Sequence, residues 1–321
     1  MRVVIVCPFP SGSRLGNRIT AVRWRSLLTG LGHRVSITTG IPRSRYDVLV
    51  ALHAFRTANV VQWSRDVHPE RAIVVALTGT DLSHDIHAHE EARRSLRLAD
   101  RIVVLHDRAF EALPGRMRAK VRLIRQSAVP ARPGPRRRGR TFDVALVAHL
   151  RQEKDPLRAA LAARLLPESS RVRIVHAGRA LTGEWRRRAR AEEASDVRYH
   201  WLGEVSPLRA KRLIAAARLM VLTSVSEGGA NVLGEAIASG TPVVSTRIPA
   251  AVSALGTGYP GFFRVGDTAG LARLLARAER DPAFLALLTR RTRARRRLFS
   301  PSTEKNAWRS LLAELVHDAR E

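Results

Sequence analysis

Short runs of β-branched and aliphatic residues recur along the chain and alternate with stretches whose apolar positions repeat at helical spacing. In the first half the runs are Val3 to Val6, Arg34 to Thr38, Val48 to Leu52, Ile73 to Leu77 and Ile102 to Leu105. In the second they are Asp143 to Ala148, Val172 to Ala177, Val197 to Leu202, Leu219 to Thr223 and Pro242 to Thr246. Strands alternating with helices in this way predict parallel sheets covered on both faces, so the fold class is α/β with two doubly wound, Rossmann-like domains. Between the halves lies Val129-Pro130-Ala131-Arg132-Pro133-Gly134-Pro135, which cannot continue a helix and has nothing to bury. The expected organisation is a first domain over 1–130, a linker over 131–140, a second domain over 141–302 and a final helix over 303–321. That helix carries the apolar stripe Trp308, Leu311, Leu312 and Leu315 and is followed by no strand, so it is expected to cross back onto the first domain. Ligands of open parallel sheets sit at the carboxyl ends of the strands, which places the expected site in a cleft between two facing domains.

Composition narrows the class. A length of 321 residues exceeds one ordinary hydrophobic core and suits two. No run of about 18 apolar residues is present, and the opening Met1-Arg2-Val3-Val4-Ile5-Val6 reads as a strand rather than a leader, so a cytoplasmic protein with no membrane partner is expected. Cys7 is the single cysteine, which excludes an internal disulfide and a cysteine-based zinc site. The formal charge of +28 raises the question of nucleic acid. Only Lys120, Lys154, Lys211 and Lys305 are lysines, and the arginines are spread through nearly every segment. The runs at Arg136–Arg138, Arg186–Arg188 and Arg295–Arg297 lack interleaved aromatic residues, so no specific nucleic-acid surface is expected.

The most specific chemistry lies in Ser226-Glu227-Gly228-Gly229-Ala230-Asn231-Val232-Leu233-Gly234-Glu235-Ala236, followed by Gly240-Thr241-Pro242-Val243-Val244. An apolar strand precedes it and a helical segment, Val232 to Ala238, follows, so the glycines occupy a strand-to-helix turn. Gly228 and Gly229 let the backbone approach a phosphate, and the helix N-terminus supplies unpaired N–H donors. Glu227 in the turn and Glu235 further along the helix are spaced to reach a sugar hydroxyl and a ribose diol of one ligand.

These residues resemble the GT-B glycosyltransferases of family 4, and the similarity runs through essentially the whole chain. The resemblance implies that Glu227 binds the donor sugar, Glu235 the ribose of a nucleoside diphosphate, and Gly228, Gly229, Ala230 and Asn231 the turn around them. Val147-Ala148-His149-Leu150-Arg151-Gln152-Glu153-Lys154 falls where the family has a Gly-Arg-Leu segment and a lysine clamping the diphosphate. Lys154 matches, but His149 holds the arginine position; either His149 or Arg151 substitutes, with Arg151 favoured because guanidinium pairs bidentately with phosphate.

Gly16-Asn17-Arg18-Ile19-Thr20-Ala21-Val22-Arg23-Trp24, Ala51-Leu52-His53-Ala54-Phe55-Arg56, Leu77-Thr78-Gly79-Thr80-Asp81-Leu82 and Tyr259-Pro260-Gly261-Phe262-Phe263 look further like one branch of that family, the selenosugar synthases of selenoneine biosynthesis. That branch implies transfer of the sugar of UDP-N-acetylglucosamine or UDP-glucose to selenophosphate, with no cofactor besides the substrates. It also implies a functional link to a selenophosphate synthetase upstream and a selenoneine synthase downstream. Asn17, Arg18, Arg23, His53, Arg56, Thr80 and Asp81 become the candidate acceptor residues, and Arg18, Arg23, His53 and Arg56 follow predicted strand ends as a phosphate pocket should. Thr78 stands where many family members carry a histidine. A selenium anion arrives deprotonated and needs no general base, unlike a sugar hydroxyl.

Two other readings stand beside this one: a conventional family-4 transferase acting on a carbohydrate, lipid or small alcohol, and a non-catalytic polyanion-binding protein on a degenerate transferase fold. The cluster His84, Asp85, His87, His89 and Glu90 lacks a helical His-x-x-x-His pair, and no Asp-x-Asp motif is present, so no metal is expected.

Overall fold

The computed structural model describes residues 1–13, 15–133 and 141–318. Arg136–Arg138 and most of the expected linker lie outside the described residues, as do the last three residues of the expected final helix. The chain divides into two compact units, Met1–Ser127 together with the segment from Pro301 onward, and Ala128–Ser300.

The first unit is built on a six-stranded sheet of β1 (Arg2–Val6), β2 (Arg34–Thr38), β3 (Val48–Leu52), β4 (Ala72–Ala76), β5 (Arg101–Val104) and β6 (Val121–Leu123), in the order β2-β1-β3-β4-β5-β6. All its pairings are parallel. Interior strands such as β3, Val-Leu-Val-Ala-Leu, are buried at every position because helices cover both faces. Successive side chains separate cleanly into two layers. Val4, Val6, Leu49, Ala51, Ile73 and Val75 enter one core with Val60, Val61 and Leu96 of the helices Ala58–Val67 and Glu90–Leu98. Val3, Ile5, Val48, Val50 and Val74 enter the other, with Trp24 of the helix Gly16–Thr29 and with Trp308, Leu311, Leu312 and Leu315 of the helix Pro301–Asp318. Trp24 and Trp308 meet edge to face at 4.8 Å.

The second unit repeats the design with β7 (Phe142–Val147), β8 (Val172–Ala177), β9 (Tyr199–Trp201), β10 (Leu219–Leu222), β11 (Val243–Thr246) and β12 (Phe262–Phe263), all parallel, in the order β12-β11-β10-β7-β8-β9. Connections run outward in opposite directions from the β7–β10 pair, and the corresponding reversal in the first sheet lies between β1 and β3. At such a reversal the loops leaving the carboxyl ends of two neighbouring strands diverge and leave a crevice. Among the described residues no helix is long and apolar enough to cross a membrane.

Candidate active site

In the second unit the loops after β7 and β10 emerge side by side. The first is held to the sheet from beneath. Gly178, just past β8, approaches so closely that a Cβ there would fall 1.7 Å from the Ala148 carbonyl oxygen, which only glycine avoids. The buried His176 hydrogen-bonds the same carbonyl through Nε2 at 2.9 Å and the Tyr199 hydroxyl through Nδ1 at 2.7 Å. The neutral tautomer with its proton on Nε2 satisfies both. His149 Nδ1 accepts the Arg179 backbone N–H at 3.1 Å, and Arg151 begins the short turn that carries Lys154, ended by Asp155 in left-handed conformation (φ 41°).

Burial pushes His176 down to about 4 from its ordinary 6.5, and does the same to His106, beyond the end of β5. Both are neutral in the folded protein near pH 7, whereas the unfolded chain takes up their protons below 6.5. Stability is therefore full above pH 6.5 and falls as the pH drops toward 4, by about 2 kcal/mol per histidine at pH about 5. Urea titrations at pH about 7.5 and about 5 should show that loss. His176→Gln, which keeps both hydrogen bonds without titrating, should shrink the loss by about half; an undiminished loss would remove His176 from the account.

The β10 loop is stitched to the first. Thr223 donates its hydroxyl to the Lys154 carbonyl at 2.8 Å, the Val225 N–H reaches the Glu153 carbonyl at 2.9 Å, and the Thr246 hydroxyl secures the Ser224 carbonyl at 2.6 Å. This frame brings Lys154 Nζ to 2.5 Å from Glu227 Oε1, which also accepts the Ser224 hydroxyl at 2.6 Å. Both side chains are largely buried, at 17% and 9% exposure, so the ion pair is only weakly screened by water. An ammonium has three donors, and one is committed to Glu227. Past the turn, the helix Asn231–Ser239 begins without a side-chain cap. Its preceding residue, Ala230, carries a positive φ of 45°. Glu235 is half-buried one turn into the helix, on the same face as Asn231. Arg151 is partly exposed, 3.8 Å from Glu153.

In the first unit, the helix Gly16–Thr29 and the loops after β3 and β4 carry the other candidates. His53 follows β3 in a left-handed conformation, φ 86°, which is strained for a residue with a side chain. Its Nδ1 lies 3.0 Å from Asp81 Oδ1, and its Nε2 lies 3.6 Å from Asp85 Oδ2. Asp81 also accepts the Thr78 N–H at 2.7 Å; its full burial pushes the carboxyl up, opposed by His53. The Thr80 hydroxyl donates to Asp85 Oδ2 at 2.5 Å. Arg56 is exposed, its guanidinium 5.7 Å from the Phe9 ring. Arg18 lies against Cys7, whose thiol burial pushes up while Arg18 pulls it down. Asn17 is buried in the first turn of the helix Gly16–Thr29. Arg23 stands apart, with its guanidinium 3.3 Å from the Ser127 carbonyl and 3.6 Å from the buried carboxylate of Glu304.

Several residues of these networks escaped the sequence reading. Thr223, Ser224 and His176 look like ordinary strand-end residues, and only Asp85 carried a signal, as part of a histidine-rich cluster.

Residues 142–281 match the family described as Glycosyl transferases group 1. The matched segment falls wholly within the second unit. Solved structures similar to the chain include Anabaena HepE in complex with UDP and glucose, at TM-score 0.78 and 17% identity, covering 98% of this chain and 100% of that one. Sucrose-phosphate synthase from Thermosynechococcus elongatus aligns at TM-score 0.80 and 16% identity over 99% of each chain. A glycosyltransferase from Rickettsia africae aligns at 0.72 and 12% over 98% of each. Together with the two parallel sheets, these likenesses give the chain the GT-B fold. No curated protein sequence matches the chain.

Proposed function

We propose that this chain is a glycosyltransferase that takes a UDP-sugar as donor and, more narrowly, a selenosugar synthase of the SenB type. The sugar of UDP-N-acetylglucosamine or UDP-glucose passes to the selenium of selenophosphate. The C1–O bond to UDP breaks and a C1–Se bond forms; water then takes the phosphoryl group from selenium, leaving a 1-selenosugar, UDP and phosphate.

The family match of the second unit supports the donor half. There Lys154 and Glu227 meet at the sheet's reversal point; in this reading the ammonium offsets the charge that grows on the diphosphate and the carboxylate accepts from the sugar hydroxyls. The observation that carries the acceptor half is the setting of His53: its ring is buried, with Nδ1 3.0 Å from Asp81 and Nε2 turned toward Asp85 at 3.6 Å rather than toward solvent, which is a poor position for activating an incoming hydroxyl. An acceptor that is already an anion needs no such base. Arg18 and Arg56 supply positive charge beside the same strand ends, and the account assigns them to the selenophosphate phosphoryl oxygens.

UDP release from the UDP-sugar that depends on selenophosphate tests this reading, and release equally fast without it would return the chain to conventional transfer. Arg56→Ala should raise the KM for selenophosphate several-fold more than that for the UDP-sugar, because only the former loses a charge-assisted bond.

The donor residues separate by role. Glu235→Ala should weaken UDP binding by about 1.5–3 kcal/mol, the worth of a hydrogen-bonding carboxylate, while Glu227→Ala chiefly lowers turnover. Calorimetry with UDP showing unchanged affinity in the Glu235 variant would remove it from the ribose site. At the clamp, Arg151→Ala should cost on the order of 100-fold in single-turnover rate and His149→Ala much less; the reverse ranking would reassign the role.

A further inference from the structure

The cluster at His84, Asp85 and His89 has a geometry that helical spacing conceals. Asp81–Asp85 forms a π-helical turn, with the Asp85 N–H reaching the Thr80 carbonyl five residues back at 3.3 Å. His84 lies in this turn, and His89 follows the short α-helical turn Ile86–Ala88 in extended conformation, its N–H bonded to the Asp85 carbonyl at 2.9 Å. Their ring centroids lie 5.9 Å apart at 60°, converging rather than stacking on each other.

Between them stands Asp85, whose two oxygens have different surroundings. Oδ2 accepts the Thr80 hydroxyl at 2.5 Å and faces His53 Nε2 at 3.6 Å. Oδ1 is turned to His84 Nδ1 at 3.3 Å and to His89 Nε2 at 3.9 Å. The His89 ring is fixed by stacking on Phe55, centroids 3.8 Å apart and planes within 10°.

We propose that His84, Asp85 and His89 bind one divalent cation of the zinc type. The three ligand atoms lie within 4.8 Å of one another. Ligands about 2.0–2.1 Å from a tetrahedral zinc are about 3.3–3.4 Å apart, so the His84–Asp85 edge already has that length and the His89 edge is about half an ångström longer. Two imidazoles and one carboxylate are the donor set of zinc rather than of magnesium or calcium, which take oxygen ligands. Three protein ligands leave a fourth position for water or an anion. The outer shell is already in place: the Thr80 hydroxyl fixes Asp85 Oδ2, with His53 Nε2 facing the same oxygen at 3.6 Å. The site stands on these contacts and does not depend on the acceptor assignment.

The test uses the full chain without a histidine tag, stripped with a chelator and titrated with Co²⁺. The expected result is one equivalent bound with visible absorption of tetrahedral intensity, displaced by Zn²⁺. His84 is mostly exposed, so His84→Ala should keep its far-ultraviolet dichroism and weaken binding by about 100-fold or more. His89→Ala should do the same, and His87→Ala, at an exposed residue outside the cluster, should leave binding unchanged. No stoichiometric Co²⁺ band in the wild type, or equal binding in folded His84→Ala and His89→Ala, would overturn the proposal.

Discussion

Replacing Lys154 by alanine is expected to slow cleavage of the donor's glycosidic bond by about 100- to 1,000-fold, the usual cost of removing one donor aimed at developing charge. Two effects add. In the proposed role the diphosphate loses the cation that would offset its charge as the C1–O bond lengthens, and of the two donors to Glu227 Oε1, Lys154 and Ser224, the first is removed. With Glu227 only 9% exposed, water replaces that partner poorly, so the carboxylate is expected to move from its proposed place beside the donor sugar. Single-turnover cleavage and UDP calorimetry separate the parts: the rate should fall much more than the affinity. A variant that binds UDP weakly but cleaves at the wild-type rate would make Lys154 a ground-state anchor and contradict its role at the leaving group.

The largest stability effect should come from a residue with no part in the chemistry. Glu304, on the helix Pro301–Asp318, is completely buried and accepts the Trp24 indole N–H at 2.7 Å, the Ser127 N–H at 2.8 Å and the Ser127 hydroxyl at 2.5 Å, with Arg23 Nε at 3.6 Å. This carboxylate fastens the final helix to the helix Gly16–Thr29 and to the end of the first unit's chain. Glu304→Ala strands an indole N–H and a backbone N–H and removes the carboxylate facing Arg23, at an expected cost of about 3–5 kcal/mol in the first unit. Glu304→Gln keeps an acceptor but turns an amide N–H toward other donors, and should cost about half as much. Urea unfolding followed by tryptophan fluorescence measures both; a loss below about 1 kcal/mol in the alanine variant would show that water reaches the site.

The sheets were legible because their strands are unbroken apolar runs: Val48 to Leu52 is β3 residue for residue. Where proline interrupts a run the strand starts later, as at Pro242, whose missing N–H leaves β11 to begin at Val243. Two very short strands, Val121–Leu123 and Phe262–Phe263, are too brief to show a period and were not anticipated. At the site the chemistry-bearing residues could be named one by one, but not their pairings. Lys154 and Glu227 are 73 residues apart, and Glu304 and Ser127 are 177 apart, so each contact exists only once the sheets have formed. Arg23 illustrates the cost: its place after the first strand suggested a phosphate ligand, while its guanidinium sits beside Glu304, a partner no local pattern reveals.

The selenium-transfer assignment is tested most directly by the product. The purified chain, incubated anaerobically with UDP-N-acetylglucosamine or UDP-glucose and freshly generated selenophosphate, is analysed by mass spectrometry. The account predicts a hexose or N-acetylhexosamine carrying the selenium isotope pattern, formed in step with UDP. UDP released at the same rate without selenophosphate, and no selenium in any sugar product, would contradict it.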